Sequence, residues 1–134
     1  MTDQLIRKVE FPTPTLVINI LQNEYTLKWP DTGQFIDIEL KKVAYAKQQN
    51  DGLIAKASVE SINVSFTIDM IATFHVLIPQ LERDINTPSL FKLPLQQNAH
   101  LLNIYLRKIY PWLKQLYEAV NDSVIDTEDE IKGE

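Results

Sequence analysis

The chain has 134 residues, no cysteine and a formal net charge of −5, a length that suits one domain burying roughly two-thirds of the surface of its unfolded chain. Without cysteine there is no disulfide framework, thiolate metal site or thiol nucleophile, and no segment supplies the roughly 20 apolar residues of a membrane span. Residues 121–134 hold six acids against one base, which leaves twelve of each sign before them, so the body lacks the basic field that nucleic-acid binding relies on.

Cytosolic synthesis is therefore the expectation, with no signal peptide in the start MTDQLIRKVE. Residues 1–15, with FPTPT, read as an extended arm, because Pro12 and Pro14 remove donors and push their predecessors out of helical geometry. TLVINIL and EYTLKW then flank a polar link at Gln22 and Asn23, and their β-branched and aromatic content predicts a hairpin. Leu16, Ile18 and Ile20 share one face of it, which helices or another subunit must cover.

Pro30 stops the second strand, Asp31 or Thr32 caps a helix, and Gly33 permits a tight approach. A single glycine without a Gly-rich loop or a following lysine makes a poor phosphate site. The helix carries Phe35, Ile36, Val43 and Ala44 around a polar face of Asp37, Lys41 and Lys42, and is expected to end by Asn50 to Gly52. Residues 53–64 read equally as a short helix or a connection.

From Ser65, the residues Phe66, Met70, Ile71, Phe74, Leu77, Ile78 and Leu81 fall in an arc about 140° wide, which predicts a central helix with a bend or restart at Pro79. After DINTPSLFKLP, a second stripe runs through Leu95, Ala99, Leu102, Leu106, Ile109, Leu113, Leu116, Tyr117 and Val120 within about 100°. Its phase survives Pro111, so one kinked helix is expected, with Pro111 as the first residue of a separate helix the competitor. Leu101, Tyr105 and Trp112 form another apolar strip beside it, read either as core or as a protein-binding surface.

The fold class expected is α+β: an extended arm (1–15), a β-hairpin with a mainly α-helical domain of three to four helices (16–120), and a disordered acidic tail (121–134). No catalytic constellation emerges. His75, with Glu82 near it on the wheel, and His100 lack metal-ligand spacing, so no metal or other cofactor is expected. Asp37 and Asp69 sit where solvation or a helix dipole explains them, and Ser61, Ser65 and Ser89 read as caps or turn residues.

The order YTLKWPDTGQFIDIE, MIATFHVLIPQLERDI, SLFKLP and IYLRKIYPWLKQLY resembles small tail assembly chaperones of tailed bacteriophages, over about residues 16–117. The resemblance implies a non-enzymatic protein in the host cytoplasm that binds the tape-measure protein and helps recruit tail-tube subunits. On that expectation the binding strip is Leu101, Tyr105 and Trp112, and the partners are other phage proteins or further copies of the chain. The alternative is a structural virion component such as a connector, ring or tail subunit.

Overall fold

The computed structural model describes residues 11–50 and 61–132, with side chains described over 11–48 and 64–123. β1 (Thr15–Ile20) and β2 (Asn23–Lys28) pair antiparallel, with Leu16 opposite Leu27, Ile18 opposite Tyr25 and Ile20 opposite Asn23. Alternation puts Ile18, Ile20, Tyr25 and Leu27 on one buried face. The turn is Leu21–Gln22, one residue earlier than the sequence suggests, and both residues adopt positive φ (46° and 72°). Asn23 would tolerate that geometry better, but a shifted turn would change the register and turn apolar side chains to solvent.

α1 (Thr32–Asn50) opens with a capping box: Asp31 Oδ1 accepts from the Gln34 amide at 2.8 Å, and Gln34 Oε1 accepts from the Asp31 amide at 3.0 Å. Gly33 is not the constrained position expected, since a Cβ there would meet only Asp31 Oδ1 at an ordinary 3.4 Å. α2 (Ser61–Leu77) packs along α1 and starts four residues before the expected Ser65. Residues 53–60 of the ambiguous connection lie outside the described residues.

Pro79 interrupts the helix as predicted, and the short α3 (Leu81–Asp84) restarts beyond it. Asn86, at φ 57°, ends α3 while the amides of Asn86 and Thr87 return to the carbonyls of Arg83 and Glu82. A single 3₁₀ turn, Leu90–Lys92, is capped by Ser89 Oγ. α4 (Leu95–Ile104) then passes through a π turn (Tyr105–Ile109) into α5 (Tyr110–Lys132).

The chain is thus α+β, a hairpin followed by helices. The hairpin face lies on a core built from Met70, Ile71 and Phe74 of α2 and Ile78 just beyond its end, with Leu81, Leu90 and the α4–α5 run closing it. That run is continuous, as the preserved apolar phase implies. Its widened turn directly precedes Pro111, and the Tyr110 amide reaches back five residues to the Tyr105 carbonyl. The widening gives the pyrrolidine ring room and tolerates its missing donor. The backbone of α5 continues helical to Lys132, into the acidic segment from residue 121 for which the sequence suggested disorder; its side chains from 124 onward lie outside the described residues.

Candidate protein-binding surface

Leu101, Tyr105 and Trp112 are core residues, only 0, 2 and 6% exposed, which corrects their assignment to a protein-binding strip. Trp112 donates its indole N–H to the Thr13 carbonyl at 2.6 Å, and Tyr105 stands edge-on to Phe74 with ring centres 6.4 Å apart. Burial raises the Tyr105 phenol well above its usual range. The stripe expected to pack is instead partly outside: Leu95 is 85% exposed, and Ala99 and Val120 are exposed as well. α2 meets the α4–α5 run on the side of the supposed second strip, and the arm closes over Trp112.

The arm's described part packs on its own domain. Phe11 and Trp29 form a tilted ring pair at 5.7 Å, and the Trp29 amide donates to the Pro14 carbonyl at 3.1 Å.

His75 joins three elements. Its Nε2 lies 3.0 Å from Glu82 Oε2, its Nδ1 lies 2.8 Å from the Tyr45 hydroxyl, and Glu82 Oε2 also accepts from the Leu90 amide at 2.7 Å. A carboxylate offers only lone pairs, so Nε2–H donates to Glu82, which in the neutral imidazole leaves Nδ1 to accept from the phenol. Both ring nitrogens are thereby engaged in tying α1, α2 and α3 together, and Phe91 packs edge-on against Tyr45.

His100 is exposed. Asp37 pairs with Lys41 at 2.8 Å, whereas Asp69 is half-buried with its carboxyl raised chiefly by burial. Asp37 has its ion pair on α1, whereas Asp69 feels the favourable charge of Lys42 against its burial. Among the described residues no cluster of His, Asp and Glu has the makings of a metal site, and no helix is long and apolar enough to cross a membrane.

Two apolar surfaces do lie open. The first is on α1, where Ile36, Leu40 and Val43 recur at i, i+4 and i+7 and are 49, 64 and 68% exposed. The Asp37–Lys41 and Glu39–Lys42 ion pairs, both 2.8 Å, flank this stripe. The helix turns Ile38 and Tyr45 toward α2 instead, with Lys41 and Lys42 half-buried at the edges.

The second surface is a groove of about 600 Å³ where the arm, the start of α1 and α5 converge. Phe11, Trp29, Phe35, Leu116, Tyr117 and Val120 form its walls, with Asp31 and Glu39 the charged groups among the described residues. Phe35 meets Tyr117 edge-on at 5.1 Å. Among the described side chains, Trp29 Nε1 and Tyr117 Oη are buried without a hydrogen-bond partner, and both belong to groove-lining residues. Burial, helped by the charge of Glu39, pushes the Tyr117 phenol up to about 12.

Sequence reasoning missed both surfaces. The 36–40–43 spacing was there to see, but a helical wheel does not reveal which stripe faces inward. The groove depends on residues 11, 29, 35 and 116–120 meeting in three dimensions, and no local pattern carries that. Comparison of the chain with protein-family models, curated proteins and solved structures found no match.

Proposed function

We propose that the protein is a non-enzymatic, tail-assembly-chaperone-like binding protein that holds an apolar segment of a tape-measure-type protein. The observation that carries this reading is the open groove between arm, α1 and α5. Its aromatic and aliphatic walls suit an apolar segment, and Asp31 and Glu39, with no base among the described lining residues, favour a basic side chain beside it. The unpartnered Trp29 and Tyr117 polar atoms support a binding role too, since unsatisfied buried groups cost about 1–3 kcal/mol each and concentrate where function requires them.

The test is co-purification from cells co-expressing tape-measure or tail-tube proteins. Phe35→Ala and Val120→Asp are expected to weaken capture by about 2 kcal/mol while the melting temperature changes little, as both side chains are substantially exposed. Unchanged capture by both variants would remove the groove from the functional account.

The alternative, a permanent virion subunit, would use the proline-rich arm for fixed contacts between subunits. Thr13 and Pro14 are bonded to their own domain, which favours the chaperone reading. Presence of the protein in purified particles would reverse that preference.

A further inference from the structure

We infer that the exposed stripe of α1 is the seam of a homodimer in which two copies of α1 pack antiparallel about a twofold axis at Leu40. The apolar residues of the ridge are not among those lining the groove, although Asp31 and Glu39 border both surfaces, and the inference does not depend on what the groove binds. Ile36, Leu40 and Val43 make a short apolar ridge, with Leu40 at its middle and Ala44, also exposed, extending its far end. A twofold through Leu40 sets Leu40 on its own copy and Ile36 beside Val43 and Ala44 of the partner.

The charges select that orientation. Asp31, Asp37 and Glu39 all precede Leu40, and Lys41, Lys42 and Lys47 all follow it. An antiparallel copy lays the acidic half of each helix over the basic half of the other, whereas a parallel copy opposes like charges along the seam. The helix dipoles lie side by side and opposed, each N-terminus near the partner's C-terminus, which is favourable in the same sense. A heterologous partner would need no such internal symmetry. Because a single helix face is smaller than a standard interface, dimerisation is expected in the micromolar range, over about 1–100 μM.

The cysteine-free chain allows a clean test. Sedimentation of the full chain should show a concentration-dependent shift from 15.5 kDa toward twice that mass, and Leu40→Glu should weaken self-association by about a hundredfold with unchanged circular dichroism. Under mild oxidation Leu40→Cys should cross-link to itself, Ile36→Cys alone should not, and a mixture of Ile36→Cys with Val43→Cys should. The arrangement is overturned by a wild-type protein that stays monomeric at 100 μM, about the upper end of that range. Self-linking of Ile36→Cys, which marks a parallel seam, overturns it as well, and so does a dimer that persists in Leu40→Glu. Groove capture measured on Leu40→Glu keeps the two surfaces distinguishable, since loss of the seam leaves the groove in place.

Discussion

The indole N–H of Trp112 donates to the carbonyl of Thr13 at 2.6 Å, so a helix near the end of the chain holds the arm near its start. This bond explains why an aromatic that looks surplus on the α5 wheel is buried. Trp112→Phe should lose the hydrogen bond and part of the buried ring volume, about 2 kcal/mol, whereas Trp112→Ala and Tyr105→Ala should each cost about 3–5 kcal/mol. Chemical denaturation reads both, and Trp112→Ala as stable as wild type would return the residue to the surface.

The hairpin turn offers a gain. Leu21 and Gln22 occupy left-handed backbone that suits Asn-Gly, and the strand register, not the turn residues, holds them there. Leu21→Asn with Gln22→Gly should therefore stabilise the protein by about 1 kcal/mol, because neither exposed side chain contributes to the core. A lower denaturation midpoint would mean that Leu21 packs on a partner in solution.

Elements with one strong period were legible in the sequence. The predicted arc of Met70, Ile71 and Phe74 in α2, continued by Ile78 and Leu81, is buried in the core under the hairpin, while α2 is also buried outside that arc at Ile68, Ala72 and Thr73. α1 was not legible in this way, since it has apolar residues on both sides and tertiary packing chose Ile38 and Tyr45 over the Ile36–Leu40–Val43 ridge. The α4–α5 run gave its continuity but not its buried side. Its orientation depends on where α2 and the arm meet it, which is information distant in sequence.

Pro111 follows a turn already widened to accommodate it. Pro111→Ala should keep the helical signal and change stability by less than about 1 kcal/mol, the regained donor being offset by a freer unfolded chain. Ala99→Pro, at an exposed site inside regular α4, should cost about 3 kcal/mol or more from the same kind of ring. A loss of that size from Pro111→Ala would show that the proline sets a needed corner.

Alkaline pH provides the last test. The Tyr25 hydroxyl donates to Asp84 Oδ2 at 2.9 Å beneath the hairpin, and burial first, then the bond to and charge of Asp84, push its phenol up to about 12. Its unfolded value is 10.0, so the folded state holds the proton more tightly. The stabilisation is complete below pH 10 and is lost as pH rises toward 12. Tyr117, also pushed up to about 12, acts in the same direction. Denaturation midpoints should fall steeply over that window. Tyr25→Phe should be about 1 kcal/mol less stable at neutral pH, yet show a shallower alkaline decline, because one phenol no longer titrates between the two states. An alkaline slope unchanged in Tyr25→Phe would mean that the Tyr25–Asp84 bond does not couple protonation to folding.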